Sequence, residues 1–462
     1  MYDDTYFLNP QEALAVATEQ NRWGENNYNL QVCYYDGEII ESEFSNLIHL
    51  SLDNLVDELA QGVYRIPTKL DFTGLEISDS VKDDILANFN QSIAHAQNYR
   101  EQYNFHYVQA LRSMKLNFNE PLRFHIMAST STQVMQYVAK GIVDELESSG
   151  YNVFFDLRDG AEDSTCFRRL LQFNPHVTIC LNHLNNGFLG PDVFNFIWFQ
   201  DPMPMLLNDE EVQLRDRDYV YSLVPAIDKL LDKKGIPYER QSFGINTNIY
   251  KKYENIKREK KIVFIGSSYA KQIPDGHLEL IDYLANAFHD GVVFTEEKIH
   301  NISAEFNIDK ATLESRVIPF IVRDMSVIQL CRMRSEYEIE IYGFGWDQYS
   351  DVAPYFKGPL QYGDDIAKVY NSATFAFAPH QQYVLQQRVL EASACGAIPI
   401  VYDCRDLADE PYEEALVYFK TFNDLQNILL NKNVPQKDFT RLLEENSYKS
   451  FVGKILKVIG EN

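Results

Sequence analysis

The chain has 462 residues, 45% of them hydrophobic, enough to bury a sizeable core and to build two or three domains. Lys and Arg number 42 and Asp and Glu 67, giving a formal charge of −25 that is spread along the chain without acidic blocks. That balance argues against a general nucleic-acid binder, which needs a basic face, and leaves room only for a local cationic pocket of the kind that takes a phosphate.

Charged residues at 24% and aromatics at 13% read as a folded, aromatic-rich globular protein and not as a disordered one. The six cysteines, Cys33, Cys166, Cys180, Cys331, Cys395 and Cys404, form no CxxC pair and no Cys/His ligand spacing. Reduced, mostly buried thiols are therefore expected, and neither a disulfide scaffold nor a structural zinc site. The opening MYDDTYFLNPQEALAV has no basic stretch leading into an apolar run, and no window approaches the roughly 18 apolar residues of a membrane span. A cytoplasmic protein is expected, with peripheral membrane association left open and the oligomeric state unreadable. The glycosylation patterns at Asn90 and Asn301 are read as chance matches.

In chain order, residues 1–118 hold helical-looking stretches with one candidate strand at LQVCYY and no chemical motif; they read as a mostly helical accessory region. From Leu122 the texture changes. LRFHIMAS, NVFFDLRD, VTICLNHL and FNFIWFQD are strand-like and are separated by helical patterns such as TQVMQYVAKGIVDELESSG and STCFRRLLQF. Strands alternating with helices predict βαβ units and a parallel sheet, because parallel neighbours need a crossover. After the charged stretch YKKYENIKREK the alternation starts again with KIVFIGSS and runs through YEIEIYGFG, TFAFAPH and IPIVYD. The expected division is 1–118, 119–250, 251–445 and a final helix over 446–462. Two doubly wound domains would face each other across a ligand cleft at the carboxyl ends of their strands.

The most informative run is YGDDIAKVYNSATFAFAPHQQYVLQQRVLEASACGAIPIVYD. A buried strand ends at a loop from Pro379, and a helix starts near Gln387, where free amide groups and the helix dipole favour a phosphate. Ala392, Ser393, Ala394 and Gly396 would let that helix lie close to a sheet or a ligand. The Glu391 carboxylate offers two acceptor oxygens for vicinal hydroxyls. Gly266, Ser267 and Ser268 follow the strand KIVFI, where a glycine permits close backbone approach and the hydroxyls can meet phosphate, with Lys271 nearby for charge. IYGFGW is not a dinucleotide fingerprint, since the third glycine would fall at Gln348. In WFQDPMP, Asp201 lies just past an apolar strand, beside two prolines that stiffen the turn, where it can act as a general base or merely cap the next segment.

The run from Gly358 to Asp403 resembles the donor-binding half of GT-B glycosyltransferases, and RVLEASACGAIPIV resembles the group 1 subfamily that includes CgeB-like proteins. The resemblance implies a GT-B fold of two Rossmann-like domains, with the donor nucleotide sugar in the C-terminal one. It puts the donor ribose at Glu391 and the diphosphate at the helix start with Gln387 and Arg388. It also puts a phosphate-contacting loop at Gly266–Ser268, and makes Gly343, Gly345 and Trp346 the wall of the donor pocket. Asp201 would face the acceptor as general base, with Ser129, Thr130 and Ser131 on the same side, and Gly244 and Asn246 would lie at the interdomain hinge. One departure stands out: where many retaining relatives carry E-x7-E, the position eight before Glu391 is Tyr383. His380, at the end of its strand, would then meet the sugar or phosphate.

The function expected is glycosyl transfer from a UDP-, GDP-, dTDP- or CMP-linked sugar to a hydroxyl of a protein, surface glycan or lipid-linked glycan. Neither metal nor cofactor is expected. The alternatives are a noncatalytic nucleotide-sugar binding protein and a sugar-nucleotide epimerase of the same fold.

Overall fold

A computed structural model describes residues 5–21, 32–34, 47–50, 55–67, 69–129, 133–158, 164–273, 277–381, 383–405 and 412–461. Thr130 and Ser131 lie outside these residues. The chain forms two compact units, Met1–Gln241 with Val452–Asn462, and Ser242–Phe451.

The first unit carries two parallel sheets. The N-terminal region, expected as mostly helical, also builds a four-stranded sheet from β1 (Thr5–Phe7), β2 (Val32–Tyr34), β3 (Leu47–His49) and β4 (Lys69–Asp71), in the order β3-β2-β1-β4. Strands of three residues are too short to show an alternating pattern in sequence, and only the second was anticipated. Tyr6 anchors this sheet, fully buried, with its hydroxyl donating to the Leu50 carbonyl at 2.8 Å. Leu55, Leu59, Phe89 and Ala96 complete the core beneath the 34-residue helix Asp79–Arg112.

The second sheet of this unit has β5 (Arg123–Ser129), β6 (Asn152–Arg158), β7 (Val177–Leu181), β8 (Phe194–Phe199), β9 (Asp218–Ser222) and β10 (Glu239–Arg240), in the order β10-β9-β8-β7-β5-β6. All its pairings are parallel. β7 and β8 are buried at every residue, as expected of parallel strands covered by helices on both faces. The order reverses between β5 and β7, so the topological switch point lies at their carboxyl ends.

The second unit has β11 (Glu259–Ile265), β12 (Glu338–Tyr342), β13 (Phe356–Gly358), β14 (Ala373–Ala378), β15 (Ile398–Tyr402) and β16 (Val417–Phe419), in the order β13-β12-β11-β14-β15-β16. Every pairing is again parallel. Here the order reverses between β11 and β14. The two expected doubly wound α/β sheets are thus both present, each with six strands where the sequence pattern marks four. Gly244, expected at a hinge, has a packing reason: a Cβ there would lie 2.5 Å from the Tyr448 ring. Asp364 and Asp365 open the helix Asp364–Ser372. Cys166, Cys180, Cys331, Cys395 and Cys404 are buried thiols.

Candidate functional site

The second unit holds a recess at its switch point. Phe264 and Ile265 close it from the end of β11, and Phe377, Ala378, Pro379 and His380 from the end of β14. Gln386 and Arg388, at the start of the helix Gln387–Ala394, and Arg323 complete the lining around about 320 Å³ of space open to solvent. Strand ends at a switch point splay apart, because their crossover helices lie on opposite faces of the sheet, and this is where doubly wound folds take ligands. The helix begins without a side-chain cap, which leaves its first amide groups to a ligand.

Two guanidinium groups give the recess its charge. Arg388 pairs with Glu391 at 2.5 Å; Glu391 is fully buried and the Arg388 side chain one-third exposed. Burial pushes the Glu391 carboxyl up, against the opposing pull of Arg388 and of the Tyr250 hydroxyl. Arg323 stacks on Tyr269, its guanidinium carbon 4.0 Å from the ring centroid, and its buried Nε has no hydrogen-bond partner among the described residues. Burial lowers the Arg323 pKa, yet arginine keeps its charge at any ordinary pH. The arrangement is therefore a cationic, partly apolar recess suited to a phosphate group.

Sequence reasoning missed Arg323 and its neighbour Asp324. Both lie in a π-helical turn, Ile321–Met325, that follows a short helix containing Pro319. A proline inside a helical run removes one backbone donor, and such widened turns gather at functional sites. Asp324, fully buried, accepts from the Ser268 hydroxyl at 2.6 Å, from the Tyr269 amide at 3.2 Å and from the Tyr349 hydroxyl at 3.1 Å. Burial raises its pKa, and these hydrogen bonds oppose the rise. The available signal was a charged pair inside the apolar run FIVRDMSVI, which resembles an ordinary amphipathic helix.

Ser267 and Ser268 are committed to holding loops together. The Phe344 amide donates to the Ser267 hydroxyl at 3.2 Å, and the Ser268 amide donates to the Phe344 carbonyl at 2.9 Å. Gly343 has φ +131°, and a Cβ there would lie 2.2 Å from the Gly266 carbonyl oxygen. Trp346, fully buried, donates from its indole nitrogen to that same oxygen at 2.6 Å. Gly345, with φ +79°, turns the loop so that Phe344 is left 62% exposed. Gly266, Gly343, Gly345 and Trp346 thus form one locked double loop at the ends of β11 and β12. Lys271, expected to supply charge there, is exposed on a short turn and does not line the recess.

His380 is held neutral. Its Nδ1 donates to the Gln381 carbonyl, and burial together with the Arg323 charge lowers its pKa to about 3. A neutral imidazole protonated at Nδ1 presents Nε2 as an acceptor, so His380 is suited to a hydroxyl and not to a phosphate. Gln387 donates to the Tyr362 hydroxyl at 3.1 Å.

In the first unit Asp201 follows β8 and is exposed. It accepts from the Asn182 side-chain amide at 3.0 Å. Asn182, buried at the end of β7 with φ +62°, accepts from the amides of Gln200 and Asp201 at 2.7 and 3.1 Å. Asparagine tolerates this left-handed conformation, and its side chain fixes the turn that presents the carboxylate. Ser129 ends β5 on the same sheet edge.

Residues 323–449 match a family model described as glycosyl transferase-like, a segment that holds Arg323, His380, Arg388 and Glu391. No curated protein matches the chain. Among solved structures, it is similar in layout to Anabaena Alr3699/HepE in complex with UDP-glucose, at 9% identity and a TM-score of 0.42, over 74% of this chain and 100% of that one. AviGT4, a glycosyltransferase involved in avilamycin A biosynthesis, matches at 11% identity and a TM-score of 0.40, over 73% and 96%. Sucrose-phosphate synthase from Thermosynechococcus elongatus matches at 12% and 0.38, over 72% and 92%. At these scores no residue role passes from one chain to another.

Proposed function

We propose that the chain is a glycosyltransferase that moves a sugar from a nucleotide-sugar donor to a hydroxyl acceptor. One observation carries the reading: a recess lined by two arginines lies at the switch point of the second sheet, inside the segment that matches the glycosyl transferase-like model. In this reading Arg323, Arg388 and the amides at Gln387 and Arg388 hold the diphosphate and stabilise it as it leaves, in place of a metal ion. The locked loop of Gly343, Gly345 and Trp346 walls the nucleoside, with Gly266, Ser267 and Ser268 setting its position. Glu391 orients Arg388 and offers its other carboxylate oxygen toward the ribose. His380 accepts from a sugar hydroxyl. Asp201, oriented by Asn182, takes the proton of the acceptor hydroxyl as general base, with Ser129 beside the acceptor.

The acceptor class is a hydroxyl of a protein or a glycan. The test is release of free nucleotide from UDP-, GDP-, dTDP- and CMP-sugars in the presence of pooled glycan and peptide acceptors. One donor should turn over, and Asp201→Asn should lower kcat by at least about 100-fold with little change in KM, the scale of a lost general base. Unchanged turnover in that variant would remove Asp201 from the mechanism.

A second reading, a nucleotide-sugar binding protein without turnover, is favoured by Tyr383 in place of an acid and by the engagement of Glu391 with Arg388. Tight donor binding with no nucleotide release would support it.

A further inference from the structure

We propose that His125, Asp156 and Cys166 form a buried site for a soft divalent cation, zinc in the first instance, within the first unit. One ligand atom from each residue lies within 4.8 Å of the other two. The three residues are 0%, 3% and 3% exposed. His125 Nε2 and Asp156 Oδ2 are 3.2 Å apart, and His125 Nδ1 is buried with no hydrogen-bond partner among the described residues. One ring nitrogen, Nε2, thus faces the carboxylate of the cluster, and the other, Nδ1, is left unsatisfied, a costly arrangement for a buried polar atom.

Charge and chemistry both fit a dication. A carboxylate, a thiolate and a neutral imidazole carry two negative charges in a dry interior, and one doubly charged cation makes the cluster neutral. Nitrogen and sulfur donors select zinc over magnesium or calcium, which take oxygen ligands. Tetrahedral zinc with ordinary bond lengths keeps such donors roughly 3.3–3.6 Å apart, so the widest pair needs to close by at most about 1.5 Å. Binding releases the Cys166 thiol proton to solvent, and water fills the fourth position.

Sequence spacing gives no hint of the site, because its donors come from β5, from β6 and from the helix Ser164–Phe173. β6 is the edge strand of its sheet and, among the described residues, pairs with β5 alone. A cation here would fasten that edge to its neighbouring strand and helix. The site belongs to the first unit, so its role is structural and independent of the phosphate recess.

The experiment uses the full chain purified without chelator. Elemental analysis should find one zinc per chain, and cobalt added to the metal-free protein should give a thiolate-to-cobalt charge-transfer band that saturates at one equivalent. Cys166→Asp keeps an anionic ligand, so it should retain zinc and lose the band. His125→Ala should weaken metal affinity by at least about tenfold, as one of three protein ligands is gone. Metal-free wild type that gives no band with excess cobalt overturns the proposal, as does a band that survives in Cys166→Asp. Should His125→Ala fail to fold, the wild-type titration and the Cys166→Asp spectrum still decide.

Discussion

Burial and the charge of Arg323 hold His380 at a pKa of about 3, far below the ordinary value near 6.5. The unfolded chain takes up a proton at this position as pH falls below about 6.5, whereas the folded chain does not until about pH 3, so stability falls across that window. His380→Gln should remove this contribution. Urea unfolding between about pH 6.5 and pH 4 should show a shallower loss of stability in the variant than in wild type. Parallel loss in the two proteins would mean that His380 is solvated and titrates normally. At this scale the sequence was legible where a residue stood inside a recognisable run. Arg388, Glu391 and His380 stood out through the strand, loop and helix that carry them, and Arg388 and His380 line the recess. Arg323 and Asp324 did not, because a charged pair in an apolar helix is the ordinary signature of a half-solvated face. Only tertiary placement turns that pair inward. His125, Asp156 and Cys166 were invisible for a related reason: their closeness is a property of sheet register and helix docking, not of spacing along the chain.

Elements of five residues or more with a clean pattern read well. KIVFI, TFAFA, IPIVY, VTICL and FNFIWF all form strands close to where their apolar runs predict. The strands that escaped notice are β1, β3 and β4, β9 and β10, and the edge strands β13 and β16, most of them two or three residues long. Too few side chains alternate there to form a signal, and pairing with a preformed neighbour creates them. The double loop at the ends of β11 and β12 makes a sharper test of local reasoning. Gly343 is required twice, once by its positive φ and once by the Gly266 carbonyl oxygen in the space a Cβ would fill. Gly343→Ala should therefore destabilise the second unit by about 2 kcal/mol or more, combining backbone strain with displacement of the neighbouring loop. Nucleotide affinity should fall with it. A variant as stable as wild type in denaturant titration would show that the two loops can separate freely.

At the scale of the molecule, the two six-stranded sheets solve one problem with different strand orders. The first reverses between β5 and β7 and presents an oriented carboxylate, Asp201, farther along the same edge. The second reverses between β11 and β14 and presents two guanidinium groups. With an overall charge of −25, a recess carrying two arginines is the kind of local cationic pocket that composition alone left room for. The fold class was legible because alternating strands and helices leave few options. The four-stranded sheet at the N-terminus was not, and neither chemistry nor pattern in residues 1–118 foretold it.

If this recess holds the phosphate groups of a nucleotide, the matching nucleotide stabilises the fold. Thermal unfolding of the wild type with UDP, GDP, dTDP and CMP, and with NAD as control, tests it most directly, alongside Arg323→Gln and Arg388→Gln checked for folding by circular dichroism. A ligand at about a hundred times its dissociation constant adds roughly 2.7 kcal/mol of stability. A rise with one of the four nucleotides, none with NAD, and loss of that rise in both folded variants are expected. A wild type whose unfolding no nucleotide shifts, or a shift that survives the loss of either arginine, would contradict a phosphate site in this recess.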